Sequence, residues 1–338
     1  MKKFLSIISI LLLAALLLTL VACGGANPPA DDTSSAQGSN EPVVTDTPEV
    51  EEDDFEYKHV IIVGIDGMGA YHKGADTPNI DSIFADYAIT DVAQTYKPVA
   101  SAPCWLSMFT GVDPMVMRTT QNAEITNTNM MNRYYDAVKK YPTLFSMYRS
   151  KHPDADIACV ARFEVMDDVF LASDEKLIIR GTEPKKWTIQ EELDNALAYI
   201  ETIDTSKNNF AFFYFNEPDS TGHKTGYGST EYNAKLTECD AALGEIFNAL
   251  EEKGMIDDTL FILATDHGGD GTAHGDVYTA PAINITLGFR GKTINNVKDF
   301  NMILRDVAPI VAKACGLENS AWAGVAEPPK VPEGLFKN

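Results

Sequence analysis

Three short apolar runs in this chain each lead into an aspartate: residues 60–65 into Asp66, 210–215 into Asp219 and 259–264 into Asp266. Runs this short and this uniformly apolar are the signature of strands buried on both faces. Between them lie segments with helical spacing. Leu193, Ala196, Leu197 and Ile200 share a face behind Thr188 and Glu191, which have the spacing of a capping box. Leu236, Leu243, Ile246, Phe247 and Leu250 form a second stripe that ends at Gly254. Shorter helices are predicted over 77–84, from Ser101 onward, over 143–150 and over 307–315, with further strands over 157–161 and 283–289. Strands alternating with helices predict an α/β fold: a mostly parallel central sheet, helices on both faces, and a small polar insertion over 112–140 near the site. In such sheets ligands sit beyond the carboxyl ends of the strands. Parallel strands would therefore bring Asp66, Asp219 and Asp266 to one edge.

The residues around those aspartates belong to one kind of chemistry. Asp266 is followed by His267, two glycines and, a few residues on, His274; Asp219 precedes His223 by four residues in a segment read as a Pro/Gly-bounded loop. Three of only six histidines thus fall in two short motifs. Carboxylate oxygens and imidazole nitrogens are the usual ligands of zinc-like ions, and six of them exceed one tetrahedral site. Two ions about 4 Å apart can hold the attacking and leaving oxygens of an in-line displacement. Ser101, in a Ser-x-Pro turn, supplies a hydroxyl that a metal could activate as a nucleophile. Asp270 and Asp276 read as turn residues, Asp81 as part of a local helix start, Trp105 as core, and His59, His72 and His152 as surface or locally hydrogen-bonded residues.

The N-terminus bounds the compartment. Lys2 and Lys3 precede an apolar stretch that closes on Leu20, Val21, Ala22 and Cys23, which is a secretory signal in form. The last four residues resemble the bacterial lipobox, which implies removal of residues 1–22 and lipidation of Cys23. The expectation is an extracytoplasmic protein held to the bacterial membrane by its lipid. Residues 24–54 are polar, acidic and rich in Gly, Pro, Ser and Thr, the composition of a flexible tether. The predicted organisation is therefore 1–22 signal, 23–56 lipidated cysteine and linker, and 57–338 a single domain. A net charge of −22 excludes a nucleic-acid polymer as partner, because phosphate backbones attract basic faces. The other four cysteines, Cys104, Cys159, Cys239 and Cys315, have neither metal-site nor disulfide-framework spacing and read as core.

The segments Gly64–Met68, Thr77–Asp81, Ser101-x-Pro with Thr110-Gly111, Asp219-x-x-x-His223, Asp266-His267-Gly-Gly and His274-Gly resemble, in that order, the alkaline phosphatase superfamily. The nearest branch is the type I phosphodiesterase/nucleotide pyrophosphatase group. The resemblance implies zinc, with Asp66, Ser101, Asp266 and His267 around one ion and Asp219, His223 and His274 around the other. It implies a small phosphate-ester substrate and Ser101 as a nucleophile that forms a phospho-serine, later hydrolysed by water. The chain departs from the pattern in two places. Relatives often carry Thr where Ser101 stands and Asn, contacting phosphate, where Cys104 stands; Cys104 is the weak candidate for a substrate contact. The alternatives are a phosphomonoesterase, a sulfatase-like enzyme, in which Trp105 stands where an arginine belongs, and a non-catalytic ligand-binding lipoprotein.

Overall fold

The computed structural model describes residues 56–337 except 117–140, 162–169, 171–173, 175, 181–186, 276 and 319. The signal segment, Cys23, the tether, most of the polar insertion and Asp276 lie outside the described residues. Seven strands form one sheet: β1 (His59–Ile65), β2 (Ala88–Gln94), β3 (Asp156–Val160), β4 (Ile178–Arg180), β5 (Asn209–Phe215), β6 (Thr259–Ala264) and β7 (Asn284–Arg290). Their order is β2-β7-β6-β1-β5-β3-β4. β1 pairs in parallel with β5 on one side and β6 on the other, and β5 continues in parallel to β3 and β4. β7 runs antiparallel to both β6 and β2, so it is the one reversed strand among those described.

The central strands β1, β5 and β6 are buried at every position, and after their polar first residues, His59, Asn209 and Thr259, they are almost wholly apolar because both of their faces are covered. In β1, Val60 and Ile62 enter one core while Ile61, Val63 and Ile65 enter the other. β5 divides likewise, with Phe210, Phe212 and Tyr214 against Ala211, Phe213 and Phe215. Each such fully buried large side chain contributes about 2 kcal/mol of transfer free energy. The first face is covered by α2 (Ser101–Thr110), α3 (Leu144–Lys151) and α8 (Val307–Ala314). Trp105 on α2 packs against Phe212 and Tyr214 with ring centroids 5.3 and 5.9 Å apart. That approach requires Gly64, where a Cβ would lie 2.5 Å from Phe212 and 2.8 Å from Trp105. The second face carries α1 (Pro78–Ile83), α4 (Ile189–Thr202) and α6 (Thr230–Glu252). The remaining helices are α5 (Glu217–Thr225), directly after β5, and the single turn α7 (Ala280–Ile283).

Local chemistry sets the ends of these elements. The capping box of α4 forms as its spacing predicts, with Thr188 Oγ1 accepting from Glu191 N–H and Glu191 accepting from Thr188 N–H. At α1 the helix start is served from elsewhere. Asp240 of α6 accepts from the backbone N–H groups of Asn79 (3.0 Å) and Ile80 (2.7 Å), while Asp81 lies within the first turn without that role. The four cysteines outside the signal are free and buried. Of the two readings offered for His59 and His72, surface or hydrogen-bonded, the second holds: both are buried, Asn209 donates to His59 at 3.2 Å, and His72 meets Asp91 at 2.7 Å. Burial pushes the His59 imidazole down to about 4.

Candidate active site

The carboxyl ends of β1, β5 and β6 lie side by side, with Ile65 opposite Phe215 and Gly64 opposite Ala264. Asp66 follows β1 directly and Asp266 stands two residues beyond β6. Asp219 sits in α5, one turn after β5, and its N–H donates to the Asp66 carbonyl at 3.1 Å. The convergence expected from a parallel sheet is therefore present. The Asp219–His223 segment is helix where a loop was expected. Four residues are about one helical turn, so both side chains emerge on one face. Gly67 permits the close approach: at φ +69° a side chain would be strained, and its Cβ would lie 2.8 Å from Asp219 Cβ.

Two ligand groups share this edge. Asp66, Asp219 and His267 bring one donor atom each within 4.8 Å of one another, and so do Asp219, His223 and His274; Asp219 belongs to both. Asp266 joins the first group through Oδ2, 3.4 Å from His267 Nε2. Ser101, the first residue of α2, places its Oγ 3.4 Å from Asp66 Oδ1 and 3.2 Å from His267 Nε2. The first group is sealed, with Asp66, Asp266 and His267 essentially unexposed. The second faces a cleft: His223 is 44% exposed. That cleft, of about 440 Å³, is walled by Asp219 and His223 together with Trp187, Asn216, Ser220 and Lys224.

The proton arrangement fits a cation. His267 Nδ1 lies 2.9 Å from the Gly268 carbonyl, His274 Nδ1 2.6 Å from that of Val99, and His223 Nδ1 3.0 Å from that of Thr272. A carbonyl only accepts, so each Nδ1 is the donor and each neutral ring turns a bare Nε2 inward. Those lone pairs face carboxylate oxygens and one another; His223 and His274 stand Nε2 to Nε2 at 3.0 Å. Asp266 Oδ2 is buried with no hydrogen-bond partner. Among the described residues, the ion-pair partners of these three aspartates are histidines only. Burial, reinforced by the neighbouring Asp266 and Asp219, raises the Asp66 carboxyl well above the usual range. Burial likewise pushes Asp266 up to about 7 and His274 down to about 4. So much converging lone-pair density without a cation is unfavourable, and a bound metal ion would supply what it lacks.

Two tyrosines hold the carboxylates and were not singled out in the sequence. Tyr214 donates to Asp66 Oδ2, and Tyr227 donates to Asp219 Oδ1 at 2.6 Å. The alternation of β5 could have signalled Tyr214, the one hydroxyl in a phenylalanine strand. Cys104 lies at 0% exposure inside the core, its sulfur accepting from Thr95 Oγ1 at 3.1 Å. In this conformation it packs and presents no surface to a substrate; burial pushes its thiol up to about 12. Asp270 occupies a turn, bridged to Ala273.

Known proteins share this architecture. Murine ectonucleotide pyrophosphatase/phosphodiesterase 5, solved as an inactive variant in complex with AMP, superposes with a TM-score of 0.60 at 15% identity, over 78% of this chain and 96% of that one. An alkaline phosphatase superfamily protein from Vibrio parahaemolyticus gives 0.59 at 16% identity, over 78% of this chain and 67% of that one. In sequence, ectonucleotide pyrophosphatase/phosphodiesterase family member 7 of Mus musculus is 22% identical over 227 residues, 62% of this chain and 49% of the relative. The chain thus spans about half the length of the curated relatives it matches. Residues 60–306, well over half of the chain and containing every candidate ligand, match the family described as "Type I phosphodiesterase / nucleotide pyrophosphatase", and the chain belongs to that family.

Proposed function

We propose that the protein is a two-metal phosphohydrolase that cleaves phosphodiester or phosphoanhydride bonds through a phospho-serine on Ser101. The observation that carries this reading is the Ser101 hydroxyl, set 3.2 Å from the inward Nε2 of His267 and 3.4 Å from Asp66 within the converging ligand groups. Asp66, Asp266, His267 and Ser101 would hold one divalent ion and Asp219, His223 and His274 the other, zinc being the metal that suits this donor set. Such ions lower the pKa of a bound hydroxyl and stabilise charge on phosphoryl oxygens.

The chain's own residues divide the rest. Asp66 receives the hydrogen bond of Ser101 and orients Oγ for attack on phosphorus. The positive end of the α2 dipole faces the charge that gathers there. As the Oγ–P bond forms, Ser101 gives up its hydroxyl proton to solvent, the P–O bond to the leaving group breaks, and the leaving oxygen keeps the electron pair and takes a proton from solvent. Water then attacks phosphorus from the vacated side and gives up a proton, the Oγ–P bond breaks with its electron pair staying on Oγ, and Ser101 takes up a proton to recover its hydroxyl. The Nδ1–carbonyl bonds keep all three imidazoles in one tautomer throughout. The cleft beside Asp219 and His223 gives the rest of the substrate its place, with Lys224 at its wall. The AMP held by the murine relative is a nucleotide, and a small nucleotide-like ester is the substrate class this reading favours.

A panel of bis(p-nitrophenyl) phosphate, p-nitrophenyl phosphate and p-nitrophenyl sulfate tests the proposal. The zinc-loaded protein is expected to show its highest kcat/KM on the diester, because the segment from Ser101 to Gly111 carries no arginine to receive a doubly charged monoester beside the nucleophile. A higher value for the monoester would move the protein to the phosphomonoesterases, and one for the sulfate to the sulfatases. Metal uptake without turnover of any of the three would leave a non-catalytic binder.

The same reading includes a lipid anchor at Cys23 and an extracytoplasmic location on the bacterial membrane, resting on the motif Leu20 to Cys23. Wild-type protein is expected in the membrane fraction, and Cys23→Ser in the soluble fraction or unprocessed. Mass spectrometry finding an unmodified mature N-terminus at another residue would reject the anchor.

A further inference from the structure

Helix α5 carries two candidate ligands but little packing of its own. Of its nine residues only Pro218 and Gly222 are buried, so apolar contact does little to fix it. Polar contacts do more. Glu192 of α4 accepts from the backbone N–H of Asn216, the N-cap of α5, at 3.2 and 3.3 Å through its two carboxylate oxygens. Glu217, the first residue of α5, accepts from the N–H of Ile189, the first residue of α4, at 3.1 Å, and Lys235 of α6 reaches the same carboxylate at 3.4 Å. Each helix closes the N-terminus of the other. Asn216 Oδ1 also lies 3.2 Å from the hydroxyl of Tyr214, whose proton goes to Asp66.

Glu192 is only 3% exposed. Burial raises its carboxyl well above the usual range. A methionine or leucine of similar volume would avoid that desolvation, so stability alone does not account for an acid here. We propose that Glu192 is a positioning residue. Its hold on Asn216 sets the axial position of α5, and with it the separation of Asp219 and His223 from His274. The proposal rests on the two-ion reading above. Glu192 touches neither substrate nor metal.

The test is a two-step zinc titration by calorimetry on detergent-solubilised full-length protein, with Tm measured alongside. Glu192→Met keeps the volume and removes the acceptor. It is expected to weaken one zinc site 10- to 100-fold, the range typical when a group that orients a ligand is lost. The other site should stay within about twofold and Tm near wild type. Glu192→Gln keeps an acceptor in place and should recover affinity to within about threefold. Wild-type affinity at both sites in the Met variant would overturn the proposal, as would an equal loss at both sites with a lowered Tm, which is the mark of general damage. Should wild-type protein bind fewer than two equivalents, the two-ion reading falls, and the positioning role falls with it.

Discussion

Ser101→Ala is expected to lower turnover by about 10³-fold or more while both metal ions stay bound. At about 1.4 kcal/mol per tenfold, that is about 4 kcal/mol of lost transition-state stabilisation, a magnitude ordinary for removal of an activated nucleophile. The fold should tolerate the change. Ser101 is buried at the first position of α2, alanine is a good helix former, and the two hydrogen bonds lost are long ones of 3.2 and 3.4 Å. The ions should stay because Asp66, Asp266 and His267 remain as protein ligands of the first group and the second does not include Ser101. The measurement pairs kcat/KM on a diester with elemental analysis of the same sample, and acid-quenched mass spectrometry of the wild type for phosphate on Ser101. Wild-type turnover in the alanine variant would refute the nucleophile and leave direct attack by water. Lost turnover together with lost metal would instead make Ser101 a ligand first.

How much of this was legible in the sequence depended on what each segment buries. β1, β5 and β6 were readable because burial on both faces leaves a continuous apolar run with few polar positions, and their downstream aspartates then had one place to go. β2 was missed. Its residues alternate between the core and partial exposure, it carries Thr90 and Asp91, and its register against β7 shifts between Thr90 and Ala93. An edge strand of that kind has no apolar run to show. α5 was read as a loop because Pro, Gly, Ser and Thr are poor helix formers. Its helix is held by contacts from afar: the Asp219 N–H on the Asp66 carbonyl, and the Glu192 carboxylate on Asn216. Long-range capping of this kind has no local signature. Asp240 at the start of α1, 160 residues away from the N–H of Ile80 that it accepts from, was invisible for the same reason. The six candidate ligands were legible because metal chemistry restricts residue types. Tyr214 and Tyr227 were not: a tyrosine in the apolar strand β5 reads as packing, and one between Gly226 and Gly228 as a turn residue, until its hydroxyl is seen on a carboxylate.

The second large effect is expected at Asp219. It is the one residue common to the two ligand groups, with Oδ1 at 3.5 Å from His274 Nε2 and Oδ2 at 3.6 Å from His223 Nε2. Asp219→Ala leaves the second group with two neutral imidazoles, fewer than the three protein ligands that hold a catalytic zinc. The first group keeps Asp66, Asp266, His267 and Ser101. The loss should therefore be unequal. Elemental analysis is expected to fall from two equivalents of zinc per chain to one, and turnover by about 10²-fold or more, since the leaving oxygen loses the charge that stabilises it. Tyr227, whose hydroxyl donates to Asp219, would be left half-satisfied, costing about 1–3 kcal/mol of stability. Asp219→Asn separates these effects. It keeps an acceptor for Tyr227 and so the stability, but removes the negative charge, and should lose the same equivalent of zinc. Two equivalents retained at wild-type affinity in both variants would show that Asp219 is not a ligand, and the second ion would have no carboxylate among the described residues to hold it.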